Sequence, residues 1–292
     1  MNQTVHVCEI PLGRVREEYD LRGGVYACYL GQDERFSVRT EPLTCTQLRY
    51  PILNFDRKIL SEVDFSGEFS EINAIKFLQS GYLVEGAVKG EKPRKTPGFR
   101  KTPVFYVTDE AGRPLHELRI GLAWLGQCAQ NHQGNLLVAY RTEERFFRSD
   151  VPGRKHMPNG LCCWSLDGSL MEALSIPQID SCDFVTVYRD AVLAGADYGN
   201  AWILQNSGER IPVRIADHDL CGAAFSAQTL EVIAYRPNRH QIGLTFYISR
   251  PGQDSGLIIF VRNQTPICIR CADAYANRIL FSDRERCYTY TI

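Results

Sequence analysis

Short apolar runs and tight polar breaks alternate along the whole chain. Four segments share one pattern: a strand of small and apolar residues, a tight polar turn, then a second apolar strand. They are INAIKFLQSGYLVEGAV (72–88), GQCAQNHQGNLLVAYRT (126–142), CDFVTVYRDAVLAGADY (182–198) and CGAAFSAQTLEVIAYRP (221–237), and DAYANRILFSDRE (273–285) reads as a shortened fifth copy. With Val84, Leu137, Leu193, Val232 and Leu280 taken as equivalent, the copies are 53, 56, 39 and 48 residues apart. Short runs bounded by turn residues predict strands, and recurrence at this spacing predicts a repeat architecture.

Each of the first four copies leads through a variable loop into a second hairpin. These read PVFYVTDEAGRPLHELRI (103–120), GLCCWSLDGSLMEALSI (160–176), AWILQNSGERIPVRI (201–215) and GLIIFVRNQTPICIR (256–270). Three of the turns offer Gly112, Gly168 or Gly208 for the left-handed residue that follows a type I turn. The fourth, at 262–266, has no such glycine. The predicted unit is four short strands in about fifty residues, the size of a propeller blade. Residues 23–53 predict one more blade of weaker pattern, and a helical period is confined to Arg14–Tyr19 and Asp56–Val63. VHVCEI (5–10) and ERCYTYTI (285–292) both read as strands. Pairing them would complete the last blade and remove an edge open to aggregation.

The expected fold is all-β: a single β-propeller domain over 1–292, with six blades of four antiparallel strands closed by the N- and C-terminal strands. Five or seven blades also fit the spacing. Asn131-His-Gln-Gly-Asn-Leu-Leu-Val and Ser165-Leu-Asp-Gly-Ser-Leu resemble repeats of the broad six-bladed β-propeller class, NHL-like propellers included. The resemblance covers most of 23–292, but the WD dipeptide and the kelch double glycine are missing. It implies a fold, and function has to be argued from sites carried on that fold.

Composition narrows the partners. Lys plus Arg is 33 against 34 for Asp plus Glu, so no global field favours nucleic acid or an anionic membrane. The first twenty residues show no apolar core of a signal peptide, and no apolar run nears the roughly 18 residues of a membrane span. Eleven cysteines, an odd number, sit largely in apolar strands, as Cys8, Cys28, Cys128 and Cys162 do. Reduced cysteine serves this way as a small hydrophobe, which gives a cytoplasmic expectation.

In an a–b–c–d blade the b–c connections leave from one end of the ring, and two neighbouring ones are long, at 89–102 and 141–159. The first carries Lys89, Lys92, Arg94, Lys95, Arg100 and Lys101 against Glu91 alone, a local excess of +5. It suits a phosphate or an acidic protein surface, or else it is a solvated loop. The second carries Arg141, Arg145, Arg148, Arg154, Lys155 and His156 among three acids, with Phe146 and Phe147. Paired phenylalanines in such a loop either tuck beneath it or anchor a partner. Arg141, Asp197, Arg236 and Arg284 fall in register just past the second strand of each copy. They either rim the central channel or pair as solvated strand ends.

No catalytic residue is legible. Asp180, Asp183, Asp197, Asn200 and Asp219 could offer oxygens to a hard cation, as a metal-dependent lactonase- or esterase-like hydrolase would need, but no spacing ties them together. Cys268 and Cys271 lack the second ligand pair of a zinc site, and the alternation around them predicts a strand with the thiols on opposite faces. Asp217-His218-Asp219 has no nucleophile beside it. The six histidines are dispersed, and no HExxH, G-x-S-x-G or Walker motif occurs. The reading is a non-catalytic propeller without metal or cofactor that binds an acidic protein partner through its long b–c loops, scaffolding or inhibiting it. A small-molecule ligand is the further option.

Overall fold

A computed structural model describes residues 4–10, 15–16, 24–42, 44–54, 59–91, 104–122, 124–140, 160–174, 182–196, 199–215, 220–238 and 243–292. Six sheets follow one another along the chain, each built around a meander that runs from the centre outwards. The chain begins with β1 (Val5–Glu9) and β2 (Val15–Arg16). Blade 1 comprises β3 (Ala27–Leu30), β4 (Phe36–Arg39), β5 (Arg49–Leu53) and β6 (Ile59–Asp64). Blade 2 comprises β7 (Phe69–Phe77), β8 (Tyr82–Val88), β9 (Phe105–Thr108) and β10 (Pro114–Leu118). Blade 3 holds β11 (Cys128–Gln130), β12 (Leu136–Ala139), β13 (Leu161–Trp164) and β14 (Leu170–Leu174). Blade 4 holds β15 (Cys182–Tyr188), β16 (Ala191–Ala196), β17 (Asn200–Gln205) and β18 (Arg210–Arg214). In blade 5 the strands are β19 (Gly222–Phe225), β20 (Val232–Pro237), β21 (Leu244–Ser249) and β22 (Gly256–Arg262), with the short β23 (Thr265–Pro266) on β22. Blade 6 has β24 (Cys271–Tyr275), β25 (Arg278–Ser282) and β26 (Cys287–Thr291), and β2 is its fourth strand. The chain is a six-bladed all-β propeller.

The burial pattern explains why the first hairpins read as apolar runs rather than clean alternations. β12, β13 and β19 are buried at every position, because a sheet packed between two neighbours has no wet face. The outermost strands are wetter: β18 buries only Val213 of its five residues. Six apolar clusters fill the six gaps between blades. Between blades 1 and 2 the filling is aromatic, with Tyr50, Phe65 and Phe69 meeting edge to face at centroid distances of 5.9 and 5.8 Å. Between blades 5 and 6, Phe246 meets Phe260 in the same way at 5.2 Å. Each ring of this size, fully buried, is worth about 1.5–3 kcal/mol over an exposed one, so the gaps between blades, not the blades alone, hold the ring.

The termini close the ring by a route the sequence did not reveal. VHVCEI was expected to complete the last blade; instead β1 lies parallel to β22 and becomes an extra outer strand of blade 5. The closing strand is β2, where Val15 pairs with Tyr288 and Arg16 with Cys287. Within Arg14–Tyr19, where a helical turn was expected, the two described residues are this strand. The stretch Asp56–Val63 likewise yields no helix among the described residues, for β6 occupies Ile59–Asp64 as the outer edge of blade 1.

The last hairpin is shifted too. The second hairpin of blade 5 is β21–β22, and its turn holds Gly252 at φ +71°, so the glycine missing from 262–266 lies ten residues earlier. Gly112, Gly168 and Gly208 take the left-handed conformation at φ +81°, +87° and +84°. Ile267–Arg270 is a connection, not a strand, and Cys271 opens β24.

Candidate functional site at the channel mouth

Each a–b turn must reverse the chain in a few residues, so each contains one left-handed residue. Blades 2 and 3 use Gly81 and Gly134. Blades 1, 4, 5 and 6 use Glu34, Arg189, Leu230 and Ala276, at φ +62°, +54°, +57° and +56°. A side chain in that region costs about 1 kcal/mol, and it leaves a functional group at the turn where glycine would leave none.

Five of these turns surround a cavity of about 620 Å³ over the channel. Blade 1 contributes Gln32 and Glu34, blade 2 Gln79, and blade 3 Gln130, Asn131 and His132. Blade 4 contributes Val187, Tyr188 and Arg189, and blade 6 Tyr275 to Arg278. The wall is stitched across the blade junctions. Gln130 Oε1 accepts the Gln79 amide N–H at 2.6 Å, its Nε2 donates to the Gly134 carbonyl at 2.8 Å, and Gln79 Nε2 donates to the Asn131 carbonyl at 2.9 Å. Between blades 5 and 6 the Phe225 N–H donates to the Ala276 carbonyl at 3.1 Å. Between blades 6 and 1, Arg278 Nη2 lies 3.2 Å from Glu34 Oε1, while Arg278 Nε is shut off from solvent with no acceptor. Arg189 leans on the Tyr188 ring at 5.2 Å, and Tyr188 stands edge-on to Phe225. His132 Nδ1 is 4.0 Å from Asp190 Oδ1 on the next blade, with both groups exposed.

Deeper in the channel, two residues before Tyr275, the Asp273 carboxylate accepts the Leu30 N–H at 2.7 Å and its own neighbour's N–H, from Ala274, at 2.9 Å. Burial holds this carboxyl above its ordinary range, and attraction to Lys76 and the two amides pulls it partway back. Cys28 and Cys271 face each other across the seam of blades 1 and 6 with sulfurs 3.7 Å apart. The Cys28 thiol is held well above its ordinary range by its hydrogen bond to Cys271 and by burial. The eleven cysteines are free thiols.

The residues singled out from the sequence lie largely elsewhere. Lys92, Arg94, Lys95, Arg100, Lys101, Arg141, Arg145, Phe146, Phe147, Arg154, Lys155, His156 and Asp197 fall outside the described residues, as do Asp180, Asp217, His218 and Asp219. What is described are the necks of the two long loops. The first is closed by the Gly86 N–H donating to the Val104 carbonyl at 3.0 Å, the second by the Tyr140 N–H donating to the Gly160 carbonyl at 2.7 Å. At the root of the first loop the Tyr106 hydroxyl donates to Glu91 at 2.5 Å, and Lys89 Nζ donates to the Ser66 carbonyl at 2.5 Å. Arg236 donates from Nε to the Tyr247 hydroxyl at 3.0 Å and lies over that ring. Arg284 lies over the Tyr26 ring, 5.6 Å from its centroid. Asp183 is buried and Asn200 is exposed at the start of β17. Among the described residues no group of three or more His, Cys, Asp or Glu is placed to hold a metal ion. The same residues include no helix long and apolar enough to cross a membrane.

No family model matches the chain, and no curated protein does. Solved structures similar to it include β-propeller domains. The WD40 propeller domain of Doa1 is 9% identical, with 91% of this chain and 78% of that one covered at a TM-score of 0.49. A catalytically inactive virginiamycin B lyase from Staphylococcus aureus with quinupristin is 10% identical, with 95% and 98% covered at 0.48. The computationally designed Ika8 protein is 13% identical, with 92% and 83% covered at 0.47. Likenesses this distant carry no argument about function.

Proposed function

We propose that this protein is a non-catalytic, cytoplasmic binding propeller that engages an acidic protein partner through the two long b–c segments. The supporting observation is the fate of Glu91. It is the only acid in the first basic segment, and it accepts the Tyr106 hydroxyl at the root of that segment. Lys92, Arg94, Lys95, Arg100 and Lys101 outnumber that one carboxylate, which is tied to the segment's root, and a local excess of guanidinium and ammonium charge attracts an anionic surface from several ångströms away. Strand order adds a second support. In an a–b–c–d meander every b–c connection departs from the same end of the ring, so the necks at Gly86–Val104 and Tyr140–Gly160 belong to adjacent blades at one end. A basic segment beside one carrying Phe146 and Phe147 combines steering charge with aromatic anchors, which together make strong protein interfaces.

The test replaces Arg94, Lys95, Phe146 and Phe147 together by alanine. Proteins captured from the native host by the unchanged chain are identified, purified and titrated against both forms. Loss of at least about tenfold in affinity, with a marked salt dependence for the unchanged chain, is expected. A partner that binds both forms equally refutes the reading.

A further inference from the structure

The channel mouth lies at the other end of the ring from those loops, and its chemistry is of another kind. We propose that it binds a small polyhydroxylated anion, a sugar phosphate or a sugar acid. The cavity of about 620 Å³ lies within the roughly 300–1,000 Å³ range of small-ligand sites. Its wall interleaves three groups. Side-chain amides such as Gln32 and Asn277 can both donate and accept, which is what a hydroxyl-rich ligand demands. Tyr188 and Tyr275 add ring surface with a polar tip. Arg189 and Arg278 offer planar forks that match carboxylate or phosphoryl oxygens.

Charge decides between a neutral and an anionic ligand. Glu34 neutralises Arg278 through one nitrogen only, leaving Nε buried without an acceptor. Arg189 rests on an aromatic ring, and among the described residues no carboxylate lies within ion-pair distance of it. Below the mouth, Lys76 attracts the Asp273 carboxyl, which burial raises and two backbone amides help hold down. The mouth thus keeps an excess of guanidinium donors: Glu34 meets Arg278 at Nη2, and Asp190 lies 4.0 Å from His132 rather than pairing with Arg189. A neutral sugar would leave that excess unused, whereas a ligand oxyanion would supply acceptors for both guanidinium groups.

Four probes separate the parts of this proposal: glucose 6-phosphate, gluconate, glucose and inorganic phosphate, each titrated by calorimetry and by shift of the thermal midpoint. Glucose 6-phosphate or gluconate should bind and raise the midpoint, with glucose and phosphate at least about tenfold weaker. Arg189→Ala should weaken the anionic probe by about tenfold without loss of fold, since the side chain is exposed and rests on Tyr188. Arg278→Gln should do the same. Failure of all four probes to bind overturns the proposal. So does phosphate binding as tightly as glucose 6-phosphate, glucose binding as tightly as either anion, or affinity unchanged in Arg189→Ala. The fourfold alanine variant of the long loops should bind the anionic probe normally, which keeps this result separate from that of the partner-binding test.

Discussion

Glu85 should make this propeller less stable as pH rises through neutrality, against the trend set by most carboxylates. It lies on β8, in register with Ala74 on β7 and Phe105 on β9. Burial pushes its carboxyl up to about 7 from 4.5, a hydrogen bond with Asn73 opposes the rise, and Glu71 adds to it. Between those two values the folded chain keeps a proton that the unfolded chain has released. The protonated side chain's contribution is complete below about 4.5 and is lost as pH climbs through about 7. The difference of about 2.5 units, at about 1.4 kcal/mol each, caps the loss at roughly 3.5 kcal/mol, and partial exposure brings the realistic figure nearer 2. Glu85→Gln keeps the shape and the hydrogen-bonding capacity but cannot ionise. Urea midpoints of both forms, followed by tryptophan fluorescence at about pH 5 and about pH 8, isolate the effect because all other titrations cancel in the difference. The variant should match the parent at the lower pH and exceed it at the higher. A variant that differs from the parent equally at both values, or is the weaker at the higher pH, refutes the argument.

Two further outcomes are expected. Gly81→Ala places a Cβ against the Thr108 carbonyl at φ +84° and should cost about 2–4 kcal/mol, whereas Gly252→Ala, with open space and φ +71°, should cost about 1; equal midpoints in thermal melts would show that the steric reasoning fails. Deleting residues 1–16 removes β1, β2 and the buried Ile10, and leaves β26 and β22 with bare edges; light scattering should show self-association, and a monomer as stable as the parent would contradict the closure described.

Much of the ring was legible because its strands lie between two apolar gaps. Segments such as Leu136–Ala139 and Leu161–Trp164 must be apolar on both sides, and their glycine turns mark the reversals. Legibility failed where local pattern stops deciding. β2 is two residues long, too short for any period, and only its partner β26 makes it a strand. β6 exposes Leu60 on an outer edge, so its apolar residues do not alternate as a half-buried strand's would. The hairpin of blade 5 was misplaced because β22 runs on into the β23 bridge, which mimicked a turn and drew attention from Gly252. The channel mouth was hidden for a different reason. Its residues come one to four at a time from turns scattered between Gln32 and Arg278, and three of those turns use Glu34, Arg189 or Ala276 where a glycine would have flagged the reversal.

The leading sixteen residues serve two blades that are made last. While the chain emerges from the ribosome, β1 and β2 have nothing to bind until β22 and β26 exist, so both must wait unpaired while the five blades between them are made. A bulky fusion at the N-terminus should delay that pairing far more than the same fusion at the other end of the chain.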